Sequence, residues 1–245
     1  MKKQRLDEYL IEHKFASDKN EAFVIVTEGR VFVEGQKAVS PSQFVVPSGW
    51  IEVRPINPYV GRAAYKLEGA LNAFGVDPSG LVCIDIGAAT GGFTQVLLLR
   101  GAEKVYAVDT AKGKLAVKLR ENARVVVMEE TDIRHLQGLP ELVDLVTIDV
   151  SLISLTHILP HARRLMKPQG VVVALFKPQY EARDPRMLIH GIVKDNATRE
   201  GLLNDFMQWL GDNGWNVENK IESPIRGLEG NVEYLFKLIP LPVSS

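Results

Sequence analysis

The sequence has one cysteine in 245 residues, no long apolar run and almost no net charge. A single cysteine, Cys83, cannot form an intrachain disulfide, which suits the reducing cytoplasm, and we expect it to be buried in the core. The apolar run at 171–176 is far too short to cross a bilayer, and the N-terminus lacks the apolar segment of a signal peptide. We therefore expect a cytoplasmic protein that does not enter membranes.

The overall charge and composition say little about the partner. The formal net charge is −1, so the overall charge does not indicate a polyanionic partner. Apolar residues make up 46% and charged residues 24% of the chain, which is ordinary for a globular protein with a sizeable core. The length allows one large domain or two unequal ones. A linker with two prolines at 54–60 favours two domains. The N-terminal domain would cover residues 1–53 and the larger domain residues 61–245.

The two predicted domains differ in their patterns. Residues 1–53 show helical spacing and then short alternating segments, which predict two helices and a small sheet, with Asp18 before the second helix and Gly29 after it. In the larger part, apolar runs alternate with helical patterns and are followed by a helix over residues 196–214 and two last strands. This pattern predicts a doubly wound α/β sheet. The five apolar runs are residues 81–85, 104–109, 124–128, 145–149 and 170–176.

A glycine-rich turn lies in CIDIGAATGGFTQVLLLRGAEKVYAVD, residues 83–109, between two predicted strands that both end in an acid. A dinucleotide-binding loop requires G-x-G-x-x-G, and Ala89 stands where its second glycine should be. A P-loop requires a lysine where Phe93 stands. S-adenosylmethionine carries no phosphate and needs neither feature. The turn therefore favours S-adenosylmethionine as the ligand.

Three acids follow successive predicted strands in the order that such a methyl donor needs. Asp85 would lie near its amino-acid portion, Asp109 would bind the ribose hydroxyls, and Asp132 would accept a hydrogen bond from the adenine amino group. Each acid alone could simply cap a helix, but three in succession favour a ligand. The expected donor-binding residues are Asp85, Gly87, Ala88, Thr90, Gly91, Gly92, Phe93, Asp109 and Asp132.

A second set of charged residues is predicted near the same edge of the sheet. Asp149 and Lys177 end the fourth and fifth strands, at the carboxyl edge where open α/β sheets bind ligands. Glu233 begins the last strand, and its position is at this edge if that strand is antiparallel. Lys66 lies on a helix that enters the domain. Each residue alone could be a surface charge, but together they form a candidate catalytic site.

This series resembles the K-D-K-E tetrad of FtsJ-like ribose 2′-O-methyltransferases. DIGAATGGFTQVLLLRGAEKVYAVD, LFKPQYEA and SPIRGLEGNVEYLF resemble the TlyA-type, haemolysin A-like ribosomal RNA methyltransferases, and residues 5–35 resemble an S-four-type RNA-binding domain. The resemblance covers nearly the whole chain. It implies a Rossmann-like class I methyltransferase fold and methyl transfer from S-adenosyl-L-methionine to a ribose 2′-hydroxyl of cytidine. The implied partners are ribosomal RNA or ribosomal subunits.

The resemblance also implies roles for the four tetrad residues. Lys177 would deprotonate or orient the hydroxyl, Asp149 and Lys66 would position it, and Glu233 would hold a lysine. Both roles of Lys177 stay open, because a free lysine amine is almost fully protonated near neutral pH. The chain departs from the family at GRAA, where S-R-G-G is usual, and in TAKGKL, where smaller residues are usual. It also has Ser17 and Asp18 where the S-four-type helix usually carries S-R.

RNA contacts have to come from a local basic face. Residues 1–60 contain eight Lys or Arg and eight Asp or Glu, so their net charge is zero. The polar segment 181–191 is expected to be a mobile loop beside Lys177. The candidate RNA-binding residues are Arg5, Lys19, Arg30, Lys37, Arg183 and Arg186.

Two other functions stay open from the sequence. One is an RNA- or ribosome-binding protein with an inactive methyltransferase domain. The other is a pore-forming haemolysin, which no membrane-spanning segment supports. His157 and His161 have the spacing of a metal-binding pair on a helix, but Pro160 lies between them and no third ligand is evident. No metal is therefore expected.

Overall fold

The computed structural model describes residues 3–54, 58–227 and 229–242. The chain separates into two compact units, residues 1–58 and 59–245. The expected linker at 54–60 falls at this boundary, although residues 55–57 lie outside the described part. Each unit has its own apolar core.

The N-terminal unit has the two predicted helices, but its strands form two small sheets, of two and three strands, where one was predicted. Asp18 caps the second helix by accepting a hydrogen bond from the N–H of Glu21 at 2.8 Å, and Gly29 follows it with a φ of 71°. The elements are β1 (Gln4–Arg5), α1 (Leu6–Glu12), α2 (Lys19–Thr27), β2 (Val31–Val33), β3 (Gln36–Lys37), β4 (Phe44–Val45) and β5 (Ile51–Val53). β3 and β5 pair with β2, and β4 pairs with β1, all of them antiparallel.

The larger unit is built on a seven-stranded sheet, and all seven predicted strands are present. The first helix and strands are α3 (Ala63–Phe74), β6 (Val82–Ile86), α4 (Gly92–Leu99), β7 (Lys104–Val108), α5 (Val117–Arg120), β8 (Val125–Met128) and β9 (Val143–Ile148). The later ones are α6 (Leu159–Leu165), β10 (Met166–Phe176), α7 (Pro178–Glu181), β11 (Leu188–Ile189), β12 (Ile192–Val193), α8 (Asn196–Asp212), β13 (Trp215–Glu222) and β14 (Tyr234–Pro240).

The sheet order is β13–β14–β10–β9–β6–β7–β8, in which β14 runs opposite to the other six strands. The predicted doubly wound α/β fold is confirmed. The chain continues from β6 to β7 on one side, whereas β9 lies on the other side of β6. In such sheets the crevice at this change of direction is the usual ligand site.

Apolar side chains alternate between the two faces of the sheet. On β6, Ile84 and Ile86 pack in a cluster with residues of α6 and α8, whereas Cys83 packs in a second cluster with residues of α3 and α4. Cys83 is fully buried, as predicted. With helices covering both faces, the edge formed by the carboxyl ends of the strands is where functional side chains can gather.

The segment 181–191, which was expected to be a mobile loop, contains some regular secondary structure. The segment contains a turn of 3₁₀ helix at Pro185–Met187 and runs into the β11–β12 hairpin, whose turn residues His190 and Gly191 have φ of 49° and 79°. The buried Asn231 accepts a hydrogen bond from Val193 N–H at 3.0 Å and donates one to the Gly191 carbonyl at 2.9 Å. This clamp comes from a residue far along the chain, so the local sequence does not reveal it.

No helix among the described residues is both long and apolar enough to cross a membrane.

Candidate active site

The glycine loop, residues 87–92, connects β6 to α4 and needs its glycines for two different reasons. A Cβ on Gly87 would lie 2.4 Å from the carbonyl oxygen of Asp149, so only glycine lets the ends of β6 and β9 approach so closely. A Cβ on Gly91, with φ of 96°, would lie 2.2 Å from Cδ1 of Leu119. Gly87 therefore shapes the crevice, whereas Gly91 permits packing behind the loop.

The side chain of Asp85 lies beneath this loop, at the N-terminus of α4. It is fully buried and accepts hydrogen bonds from the hydroxyls of Thr94 at 2.6 Å and Thr147 at 3.0 Å, and from the Thr94 N–H. Burial raises the pKa of Asp85 to about 6, against the opposing effect of these bonds. A carboxylate thus occupies the helix end where dinucleotide- and NTP-binding loops hold a phosphate.

The backbone of the loop is also poorly suited to phosphate. The N–H groups of Gly87 and Ala88 both donate to the Val108 carbonyl, at 2.9 and 3.0 Å, and the Ala89 N–H donates to Asp109 at 2.8 Å. A phosphate cradle needs such groups to point at the ligand. The structure therefore agrees with the sequence in disfavouring a pyrophosphate or triphosphate ligand.

Beside the loop, the four residues of the predicted tetrad line one cavity of about 410 Å³, here called the tetrad cavity. Lys177 and Asp149 follow the ends of β10 and β9. The antiparallel pairing of Phe176 with Tyr234 brings Glu233 to the same edge, and Lys66 reaches it from α3. The predicted convergence of these four side chains is present in the structure.

The tetrad is arranged as two ion pairs. Lys66 Nζ lies 2.5 Å from Glu233 Oε2, with side-chain exposures of only 10% and 3%. Lys177 Nζ lies 2.6 Å from Asp149 Oδ1 and 3.0 Å from the hydroxyl oxygen of Ser151. Charges buried to this degree are costly unless they are paired, so each pair holds its members in place. The two lysines present their remaining N–H groups within a single cavity.

A second cavity of about 520 Å³, here called the Asp109 cavity, continues from the first across the ends of β6 and β9. The two cavities share Gly87, Ala89, Asp149 and Ser151. Asp109 accepts hydrogen bonds from the N–H groups of Ala89 and Ala111, at 2.8 and 2.7 Å, which fix its carboxylate at the cavity wall.

Asp132 also lines the Asp109 cavity. Its carboxylate lies 2.6 Å from the guanidinium of Arg134, whose hydrogen bond lowers the pKa of Asp132 to about 2. Asp132 is therefore ionised over the whole physiological range and can accept hydrogen bonds from a ligand.

Most of the expected donor-binding residues reach a cavity, but two do not. Asp85 lies in the core and Gly91 faces Leu115 and Leu119, so neither lines the tetrad cavity or the Asp109 cavity. The expectation that they contact the ligand directly is corrected: both support the loop from behind. The predicted residues on the walls are Gly87, Ala88, Thr90, Gly92 and Phe93 in the tetrad cavity, and Gly87, Asp109 and Asp132 in the Asp109 cavity.

Sequence reasoning missed several polar residues of the tetrad cavity. Ser151 and Gln179 each lie two residues after a tetrad member, and that short spacing was the signal that could have found them. Arg226 and Glu229 lie in the connection before β14, where no periodic pattern draws attention.

Some of the predicted RNA-binding residues form ion pairs within the protein, and others are exposed. Arg5 forms a 2.6 Å ion pair with Asp7, and Arg30 forms one of 3.3 Å with Glu28. Lys19 and Lys37 are exposed on the N-terminal unit. In the larger unit Arg183 is exposed, and Arg186 pairs with Asp184 at 2.6 Å.

Large aromatic side chains also lie on the surface of the N-terminal unit. Phe23, Phe44 and Trp50 are 56%, 66% and 60% exposed, and sequence reasoning did not single them out. Exposed aromatic side chains are a common feature of surfaces that bind single-stranded RNA.

Comparison with known proteins gives the family. The model of the FtsJ-like methyltransferase family matches residues 59–239. Hemolysin A of Brachyspira hyodysenteriae is 39% identical over 238 residues, covering 96% of this chain and 99% of that protein. The 16S/23S rRNA (cytidine-2′-O)-methyltransferase TlyA of Mycobacterium tuberculosis is 36% identical over 241 residues, covering 97% of this chain and 90% of that protein.

A solved structure, a candidate hemolysin from Streptococcus thermophilus, is similar over the same extent. It has a TM-score of 0.75 and 34% identity, covering 98% of this chain and 90% of the other. The seven-stranded sheet with its reversed β14 agrees with the class I methyltransferase fold that the motifs imply. Fold, tetrad and relatives agree, and the chain belongs to the FtsJ-like methyltransferase family.

Proposed function

We propose that this protein transfers a methyl group from S-adenosylmethionine to the 2′-hydroxyl of a cytidine ribose in ribosomal RNA. The observation that carries the proposal is the convergence of two lysine–carboxylate pairs in one cavity beside a glycine loop that is unsuited to phosphate. The relative TlyA is named for 2′-O-methylation of cytidine in 16S and 23S rRNA, and we extend that substrate class to this chain.

The residues present fit the methyl donor. Asp109 at the cavity wall suits the ribose hydroxyls, Asp132 suits the adenine amino group, and the glycine loop borders both cavities. The donor is a sulfonium that supplies an electrophilic methyl group and leaves as a neutral thioether. Carboxylates around the crevice favour this positive charge, whereas they would repel a phosphate.

The tetrad would act on the acceptor hydroxyl. Lys177 Nζ is already held by Asp149 and Ser151, so a further N–H can point at the 2′-oxygen and fix its direction. Lys66 is held by Glu233 and supplies a second positive charge to the same cavity. As the new C–O bond forms, the hydroxyl proton leaves to Lys177 Nζ if that amine is neutral, or to the Asp149 carboxylate if Lys177 only orients the hydroxyl.

The N-terminal unit would capture the RNA. We assign it as an S-four-type RNA-binding domain that uses exposed Lys19 and Lys37 for phosphates and the exposed aromatic rings for bases. In the larger unit, the exposed Arg183 would add a phosphate contact. Ribosomal RNA or ribosomal subunits are then the partners, and the cytoplasm is the site of action.

Two substitutions of Lys177 separate its possible roles. Lys177→Ala should lower single-turnover methyl transfer to ribosomal RNA by roughly 10² or more, because a group that acts in the transition state is lost. Arginine keeps the charge but does not give up its proton in proteins. Lys177→Arg should therefore be nearly as inactive as Lys177→Ala if Lys177 is a base, and substantially active if it only orients the hydroxyl.

Calorimetry of donor binding serves as the control for these variants. Both should bind S-adenosylmethionine like the wild type, because Lys177 is not among the residues that line the Asp109 cavity, which suits the ribose and adenine of the donor. Wild-type transfer rates in both variants would remove Lys177 from the mechanism.

A further inference from the structure

One polar atom of the tetrad cavity has no partner. Among the described residues, Gln179 Oε1 is the one buried side-chain oxygen or nitrogen that has no hydrogen bond. About nine in ten or more of the buried polar groups in proteins are paired, and leaving one unpaired is costly. Gln179 is part of the cavity wall, so a bound molecule can supply the missing donor.

The two lysines of the tetrad already have partners and do not donate to Gln179 Oε1. Lys177 Nζ contacts Asp149 and Ser151, and Lys66 Nζ contacts Glu233. The backbone around Gln179 is fixed in the first turn of α7, where the Tyr180 N–H donates to the Lys177 carbonyl at 2.9 Å. The backbone of Gln179 is therefore fixed beside the cavity, and its side-chain oxygen is an acceptor that no described residue satisfies.

Gln179 lines one of the two cavities and not the other. α7 follows β10, and β9 lies between β10 and β6. The Asp109 cavity lies across the ends of β6, β7 and β9, and Gln179 is not among the residues that line it. Gln179 lines the tetrad cavity, in which the proposed reaction handles the acceptor hydroxyl.

The chemistry of RNA limits what can donate to Gln179. A ribose within an RNA strand has a single hydroxyl, and in the proposed reaction that hydroxyl is the group handled by Lys177. The remaining donors of a nucleotide are on its base, and cytosine has one such group, the 4-amino group. Uracil presents a carbonyl oxygen at this position, which an amide oxygen would repel.

We infer that Gln179 Oε1 accepts a hydrogen bond from the 4-amino group of the target cytosine and so selects the base whose ribose is methylated. This inference rests on the proposed function, because it takes a cytidine in RNA as the acceptor. It makes Gln179 a specificity-determining residue, distinct from the tetrad that acts on the hydroxyl. The side chain completes its hydrogen bonding only when the correct base is bound.

The test compares two RNAs and two proteins. One ribosomal RNA fragment carries cytidine at the methylated position, and the other carries the pyrimidin-2-one ribonucleoside, which lacks only the 4-amino group. For the wild type, we expect the missing amino group to lower kcat/KM roughly 10- to 100-fold, which corresponds to an unpaired buried acceptor. Gln179→Leu should lose a similar factor on cytidine and should not lose further activity on the analogue.

Two further variants make the result interpretable. Gln179→Glu keeps an acceptor oxygen and should retain the preference for cytidine. Gln137→Leu, the same substitution at an exposed glutamine outside both cavities, should behave as the wild type. Calorimetric binding of S-adenosylmethionine should be unchanged in every variant, which verifies that each one is folded.

Three outcomes have definite meanings. If the wild type methylates both RNAs equally, the proposed contact between Gln179 and the base is wrong, whatever the variants show. Losses that multiply in Gln179→Leu on the analogue would also overturn it, because the two groups would then act independently. No ribose methylation of either RNA by the wild type would refute the proposed function itself.

Discussion

Asp85 offers a quantitative test of how the glycine loop is built. Its carboxyl group is fully buried and its pKa is raised to about 6, mainly by burial. In the unfolded chain the same group titrates near 3.8. Ionisation of Asp85 is therefore more costly in the folded state than in the unfolded state, and stability that is present below about pH 4 is lost as the pH rises through 6.

The size of this effect follows from the shift. A difference of about 2.2 pKa units at about 1.36 kcal/mol per unit amounts to about 3 kcal/mol in the free energy of unfolding. Asp85→Asn removes the ionisation, and the carboxamide can still pair with the hydroxyls of Thr94 and Thr147, which rotate to donate or accept. The stability of the variant relative to the wild type should therefore increase by about 3 kcal/mol between pH 4 and pH 8.

Urea unfolding at several pH values measures this difference directly. All other titrating groups are common to both proteins and cancel in the comparison. Asp205→Asn, the same substitution at an exposed position on α8, controls for the general loss of a negative charge. A difference between Asp85→Asn and wild type that stays constant with pH, or that shrinks as the pH rises, would refute the assignment of a burial-raised pKa to Asp85.

Two further predictions concern the buried ion pair and the RNA surface. Glu233→Ala leaves the Lys66 ammonium buried without its partner, so it should lower the free energy of unfolding by about 3–5 kcal/mol in a urea titration. Glu218→Ala is the control, because Glu218 belongs to the more exposed pair with Lys237, and it should change the free energy of unfolding by less than about 1 kcal/mol. Equal small losses in both variants would contradict the structural role of the pair. The double variant Lys19→Glu/Lys37→Glu should bind ribosomal RNA more weakly and with a smaller salt dependence in filter-binding titrations, while its affinity for S-adenosylmethionine stays unchanged. An unchanged RNA affinity would contradict the assignment of RNA capture to the N-terminal unit.

The sequence was sufficient to predict the fold because the local and global signals agree. Each apolar run became a strand, and the bounds agree within two residues except at β10, which begins four residues before its predicted start. The helix predicted over 196–214 is present at Asn196–Asp212, and Asp18 and Gly29 mark the ends of α2 as expected. The convergence of Asp149 and Lys177 also followed from the sequence, since both lie at carboxyl ends of parallel strands.

Other features could not be predicted because they depend on residues far apart in the chain. Asp85 looked like a ligand contact, but Thr147 on β9 and Thr94 on α4 enclose it in the core. The segment 181–191 was expected to be a loop, but it runs into the 188–193 hairpin, which is clamped by Asn231 about forty residues later. The pairing of Lys66 with Glu233 spans 167 positions, and no local pattern reveals which lysine meets which carboxylate.

Nucleoside analysis of ribosomal RNA tests the central claim, ribose methylation by the tetrad, most directly. Unmodified ribosomal subunits are incubated with the protein and S-adenosylmethionine, and the RNA is digested to nucleosides and analysed by mass spectrometry. We predict 2′-O-methylcytidine with the wild type and none above background with Lys177→Ala, although that variant binds the donor. A methyl group found on a base, or equal yields of 2′-O-methylcytidine from both proteins, would contradict it.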